Sequence, residues 1–282
     1  MALAVLQKIS SNNRKELLLT PILIATGVVT AIGLLCAVIL AVASKIFEVK
    51  TNPKTAQIRA CLPGANCGAC GYAGCDGYAN ALAEELEACT TLCTPGAAKV
   101  AADIADVLGV AAAEVTKKVA LVHCNGTCDN AAKKAEYKGP KSCTTAKLVY
   151  GGDGSCVYGC LGLGDCVNVC EYDAIHIVDG VARVDVNACT ACGRCVKKCP
   201  NGLISIIPAT KPVAVKCSNK DKGAIARKNC KVACIGCMKC EKVCPNGAIK
   251  VENNLSYIDY DKCTACGACA EACPTNAIKI KK

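Results

Sequence analysis

The sequence contains no tryptophan, one phenylalanine and two histidines. With so few aromatic rings, 282 residues cannot fill one large core, and several small cores held together by cofactors are expected instead. His123 and His176 are too few for imidazole-based metal or acid–base chemistry and read as surface or packing residues. No Gly-x-Gly-x-x-Gly stands between a strand and a helix, and no phosphate loop occurs, so the familiar dinucleotide and nucleotide cradles are missing. Charge is absent from Leu17 to Ala43. That run exceeds the roughly 20 residues that span a lipid bilayer as a helix, and it is about twice as long as the apolar core of a cleavable leader. It reads as a retained anchor, with Cys36 facing lipid or packed rather than ligating.

What the chain has in abundance is cysteine, 28 in all. Three clusters are complete: Cys189, Cys192, Cys195 and Cys199 before Pro200; Cys234, Cys237, Cys240 and Cys244 before Pro245; Cys263, Cys266, Cys269 and Cys273 before Pro274. Each is Cys-x2-Cys-x2-Cys-x3-Cys-Pro, in which three close thiolates hold corners of one 4Fe-4S cube and the fourth is carried to the neighbouring cube. A zinc ribbon would instead show two well-separated pairs. A disulfide framework belongs to short secreted chains, whereas this many reduced thiols require a reducing compartment. The body is therefore expected on the cytoplasmic side of a cell membrane.

A fourth cluster, Cys160, Cys166 and Cys170, has Leu163 in place of its second ligand and Glu171 in place of proline. Sliding the chain by 74 residues lays Cys170 on Cys244, Cys189 on Cys263, Cys199 on Cys273 and Leu163 on Cys237. The same shift lays Cys143 on Cys217 and Cys156 on Cys230, so one two-cluster unit is written twice, over 143–208 and within 209–282. Crossover ligation then predicts Cys170 with Cys189, Cys192 and Cys195; Cys273 with Cys234, Cys237 and Cys240; and Cys244 with Cys263, Cys266 and Cys269. Cys160, Cys166 and Cys199 lack a partner. Cys156, close in sequence, is the favoured fourth ligand; the alternative is a three-iron cluster. Ala174–Val178 and Ala248–Glu252 read as strands turned at Gly180 and at Asn253-Asn254.

Upstream, the polar segment 44–60 reads as a linker, and 61–110 as a second kind of cysteine module. Its glycine-rich run Cys67-Gly-Ala-Cys70-Gly-Tyr-Ala-Gly-Cys75 suits a backbone folded tightly round a bulky cofactor. An amphipathic Asp76–Glu87 helix and a turn at Pro95-Gly96 return Cys93 as closing ligand, leaving Cys61 and Cys89 spare. Residues 97–122 read as an alanine-rich helical segment broken at Leu108-Gly109. The connecting segment 111–142 adds Cys124 and Cys128. With Cys143, Cys156, Cys217 and Cys230 these supply enough sulfur for a sixth cluster, although spacing alone does not fix its members, and buried spare thiols are the alternative.

The module Asn66-Cys-Gly-Ala-Cys-Gly-Tyr-Ala-Gly-Cys75, between one apolar N-terminal helix and ferredoxin repeats, resembles the RnfB family, a component of the Rnf complexes, membrane-bound ferredoxin:NAD oxidoreductases that translocate ions. The resemblance covers essentially the whole chain and is closest to the long clostridial form. It departs at Ala73, where proline is commoner, and at Cys170-Glu171. It implies an α+β, cofactor-dominated fold: an N-terminal tail and transmembrane helix (1–43), a helical 4Fe-4S module using Cys67, Cys70, Cys75 and Cys93, and two tandem ferredoxin-like units. The cysteine sets give five 4Fe-4S clusters, or six if the remaining sulfurs hold one, and the missing nucleotide motifs put NAD and flavin on other subunits. The resemblance further implies soluble ferredoxin as electron donor and electron flow through neighbouring Rnf subunits to NAD, coupled to Na+ or H+ export. The formal charge of +10, which alone would suggest nucleic acid, is offset by clusters carrying about two negative charges each. No nucleic-acid partner is expected.

Overall fold

The computed structural model describes residues 24, 26–45, 52–87 and 89–280. The chain divides into two units, the first ending at Thr51 and the second beginning at Asn52. In the first unit, helix α1 (Thr26–Lys45) is long and apolar enough to cross a bilayer, and its described side chains are almost all exposed. Residues 17–23 and 25 of the uncharged run, Pro21 among them, lie outside the described residues.

The second unit begins where composition suggested a linker. Pro53–Cys61 is instead a helix, α2, with proline in its first turn and Asn52 as N-cap, its side chain accepting from Lys54 N at 3.0 Å. Polar composition hid it because only Ile58 of this helix is fully buried. Ile58 packs with Tyr78 and Leu82 of α3 (Cys75–Ala83) and Val100 and Ile104 of α4 (Ala97–Leu108) in a small helical core. Helix α3 is shorter than its amphipathic pattern, since Glu85 takes a positive φ of 59°. Helix α4 ends at the expected break, with Gly109 left-handed at φ 70° as its cap.

Past Gly109 the helical reading fails. Lys118–Val122 is strand β1, whose Val119–Val122 run is wholly buried. A continuous apolar run of this length suits a strand as well as a helix, and pairing decides between them: β1 is antiparallel to β4 (Ile204–Pro208), with Val122 opposite Ile204.

The remainder is two copies of one plan. The first unit of the repeat contains α5 (Cys143–Leu148), α6 (Asp165–Asn168), the hairpin β2–β3 (Ile175–Val178, Val181–Val184), α7 (Arg194–Lys198) and β4. The second contains β5 (Val213–Val215), α8 (Gly223–Asn229), α9 (Lys239–Lys242), the hairpin β6–β7 (Ile249–Glu252, Leu255–Ile258), α10 (Ala268–Glu271) and β8 (Ile278–Ile280). Both hairpins fall where the alternating residues predicted them. β5 pairs antiparallel with β8, with Val215 opposite Ile278.

Register corrects one equivalence. Ile204 and Ile278 are 74 apart, yet their partners Val122 and Val215 are 93 apart. Cys124, two residues after β1, is therefore the counterpart of Cys217, two residues after β5. Cys143 has no counterpart: it stands in a 19-residue insertion that contains α5.

Candidate metal centres

Each short helix of the repeat carries cysteines for two sites. Cys166 lies within α6 and Cys170 two residues past its end; Cys195 lies within α7 and Cys199 just past its end. The members of each pair nevertheless line different voids, Cys166 and Cys199 one and Cys170 and Cys195 another. Cys170, Cys189, Cys192 and Cys195 line one void, and Cys244, Cys263, Cys266 and Cys269 line its counterpart in the second unit. Cys240 is flanked by Cys234, Cys237 and Cys273, and burial together with these neighbours pushes its thiol up to about 11. In the helical module the buried Cys93 thiol is raised first by burial and then by Cys75, Cys67 and Cys70.

The site interrupted by Leu163 differs from the sequence expectation. Cys143, rather than Cys156, joins Cys160, Cys166 and Cys199 around a single void. Burial, then the neighbouring Cys160, Cys143 and Cys199, push the Cys166 thiol up to about 12. Cys143 opens α5, and its place is fixed by Asp165, whose carboxylate is buried and heavily hydrogen-bonded. That carboxylate accepts from Cys143 N (3.0 Å), Thr144 N (3.0 Å), Thr144 Oγ1 (2.8 Å) and Ser142 Oγ (3.1 Å). Burial alone would raise the Asp165 carboxyl, but these bonds outweigh it and hold it below the ordinary range. Asp165 escaped the sequence reading. The signal was there, since an aspartate stands where the repeat has Lys239, in the same stretch that has leucine for Cys237.

Cys156 lies elsewhere, lining a void with Cys124, Cys217 and Cys230. Cys128 is exposed and does not line it, and neither does Cys143.

Several sulfurs of these rings accept backbone amides: Ala174 N to Cys170 (3.4 Å) and its repeat Ala248 N to Cys244 (3.3 Å), Leu203 N to Cys199 (3.4 Å), Ala120 N to Cys189 (3.4 Å) and Ala265 N to Cys263 (3.4 Å). Cys234 and Cys273 pair with the hydroxyls of Ser256 and Thr275. Outside the rings, Cys61 donates to its own helix at Gln57 O (3.4 Å) and Cys89 pairs with Thr91 Oγ1 (3.1 Å). Amides aimed at sulfur stabilise thiolate and, in iron–sulfur sites, set the potential. Among the described residues, no three Cys, His, Asp or Glu side chains converge as a single metal ion requires. Rings of four sulfurs round a void fit a larger, polynuclear group.

The helical module is tied to the first repeat unit. Arg194 pairs with Glu171 and donates to Ala65 O at 2.9 Å. Thr94 Oγ1 donates to Ala191 O at 3.2 Å, joining the Cys93 turn to the Cys189–Cys195 loop.

Three families match parts of the chain: a putative Fe-S cluster family over residues 62–95, a 4Fe-4S dicluster domain over 188–249 and a 4Fe-4S binding domain over 256–279. Among curated proteins, the chain is 48% identical over 250 residues to the B component of the Na(+)-translocating ferredoxin:NAD(+) oxidoreductase complex of Acetobacterium woodii, covering 87% of this chain and 74% of that one. It is 40% identical to the B component of the proton-translocating ferredoxin:NAD(+) oxidoreductase complex of Clostridium ljungdahlii, covering 84% of each. It is also 40% identical to the B component of the ion-translocating oxidoreductase complex of Methanosarcina acetivorans, covering 84% of this chain and 90% of that one.

Proposed function

Since the chain belongs to the RnfB family, the B components of ion-translocating ferredoxin:NAD(+) oxidoreductase complexes, we propose that it takes electrons from reduced ferredoxin and relays them to partner subunits that reduce NAD, with Na+ or H+ translocation coupled to that flow. The chain is an electron-transfer subunit of such a complex; its iron–sulfur domains supply the chemistry and the other subunits are its partners. The helix Thr26–Lys45 anchors it in the cytoplasmic membrane in a single pass, with the sulfur-rich body on the reducing, cytoplasmic side.

Five cysteine sets hold 4Fe-4S clusters in this reading: Cys67, Cys70, Cys75 and Cys93; Cys170, Cys189, Cys192 and Cys195; Cys143, Cys160, Cys166 and Cys199; Cys234, Cys237, Cys240 and Cys273; and Cys244, Cys263, Cys266 and Cys269. When bound, such clusters supply one-electron redox chemistry without proton transfer by the protein. The chain's own part is to hold and bury them and to aim amides at their sulfur ligands. Raised thiols such as Cys166 and Cys240 are neutral in the metal-free protein, so loading expels protons and its free energy becomes folding free energy. The observation that carries the reading is that three of these sets each gather four cysteines around a separate void, two of them combining three close cysteines with one from the neighbouring motif.

A membrane preparation from cells lacking this chain tests it. Ferredoxin-dependent NAD reduction should vanish and return when the full-length chain is restored. Undiminished activity without the chain would assign it to another oxidoreductase.

A further inference from the structure

Four cysteines remain that the five sets do not use and that nevertheless share one void: Cys124, Cys156, Cys217 and Cys230. They come in equivalent pairs. Cys124 and Cys217 each stand two residues beyond the strand that pairs with the last strand of their unit. Cys156 and Cys230 each stand four residues before the first cysteine of their unit's motif, Cys160 and Cys234. With β1 and the segment after it counted to the first unit, as β5 is to the second, each repeat unit contributes one pair, and the void lies at the junction between the two units. The pseudo-twofold relation extends to the hydrogen bonds. Cys160 N donates to Cys124 Sγ at 3.4 Å, and its counterpart Cys234 N donates to Cys217 Sγ at 3.2 Å. A self-complementary junction of this kind is what repeated units produce when they meet face to face.

We propose that this junction is a sixth iron–sulfur site, a 4Fe-4S cluster held by Cys124, Cys156, Cys217 and Cys230, two ligands from each unit. The proposal rests on the reading of the other five sets but goes beyond it, for none of these four residues belongs to a ferredoxin motif. The surroundings have the marks of the ferredoxin sites. The cavity, about 50 Å3, is no smaller than the roughly 20 Å3 at each of three of the other proposed sites. Asn219, 1% exposed, directs its side-chain amide to Cys156 Sγ (3.4 Å) and its backbone amide to Cys217 Sγ (3.4 Å). Burial raises the Cys156 thiol, with Cys124 and Cys230 adding to it. Gly126 keeps the wall thin. A Cβ there would stand 3.5 Å from Cys230 Sγ and 3.7 Å from Cys124 Sγ.

Position gives the site a purpose. One wall is Cys160, which also lines the Leu163-interrupted site of the first unit. Through its amide on Cys217, the opposite wall is Cys234, a ligand of the first site in the second unit. A cofactor here would join two otherwise separate pairs of sites. The alternative, four buried thiols packed as small apolar groups, leaves unexplained why four amide contacts point at three of their sulfurs.

The full-length chain, purified without oxygen, decides the matter by its iron and acid-labile sulfide. Six cubes require about 24 of each per chain and five require about 20. Cys156→Ser and Cys230→Ser should each lose about four iron and four sulfide while the signals of the other sites persist, and Cys128→Ser should lose none. A wild-type count of about 20, or serine variants that retain wild-type iron, overturns the proposal. The wild-type count does not depend on whether a variant folds. Protein holding no iron at all would overturn the five-site reading as well, which separates the two failures.

Discussion

The two repeat units descend from one pattern and complete the equivalent site in different ways. In the second unit, Cys237 sits in the loop with Cys234 and Cys240, and the next-but-one residue is the exposed Lys239. In the first, leucine replaces that cysteine, and Cys143, from a 19-residue insertion, lines the same void with its backbone held by Asp165 at the position of Lys239. On the proposed ligand sets the three differences fit together: a ligand lost, one borrowed and the carboxylate that would hold the borrowed one still. Cube ligands need to converge in space, not in sequence. An insertion that buries a helix start against the site can replace a loop cysteine if its backbone is anchored.

That comparison can be broken in several places. The largest effect is expected from Cys143→Ala. Chemical analysis should show at least one iron lost per chain, and the oxidised protein should gain a paramagnetic three-iron signal. Unchanged iron would return Cys143 to the spare thiols and reopen Cys156. Next, adding Leu163→Cys to that variant should rebuild the pattern of the second unit and recover the lost iron; a persistent deficit would mean the loop no longer has ligating geometry. Asp165→Asn should cost about 1–3 kcal/mol, because a buried charged acceptor with four donors is weakened and some donors are orphaned. Anaerobic chemical unfolding of the loaded protein reads this directly. Lys239→Ala, at the equivalent but exposed position, should stay within about 0.5 kcal/mol. Smallest of all, Cys36→Ala should leave iron and stability unchanged, and a fall in iron would contradict its reading as an anchor residue.

Much of the site was legible in the sequence because ferredoxin ligation is written in local spacing. The proposed sets containing Cys189, Cys234 and Cys263 follow from the crossover rule without tertiary information. Both hairpins were legible for the same reason, as alternation and turn residues within ten positions. What spacing could not yield was long-range. Cys143 is held at that void by Asp165, 22 residues on. The equivalence of Cys124 with Cys217 is fixed by sheet register, and a uniform slide of 74 hides it behind the accidental match of Cys143 with Cys217. The helix Pro53–Cys61 buries little beyond Ile58, too weak a stripe to separate a helix from a linker. Lys118–Val122 was misread as helix because a short, wholly buried apolar run has no period to consult.

The central claim is that these cysteines hold iron–sulfur clusters rather than zinc or one another. Iron, zinc and acid-labile sulfide measured together on the anaerobically purified full-length chain test it most directly. The account predicts iron and sulfide in equal amounts with zinc near zero. Stoichiometric zinc without sulfide, or sulfurs found joined in disulfides, would contradict it.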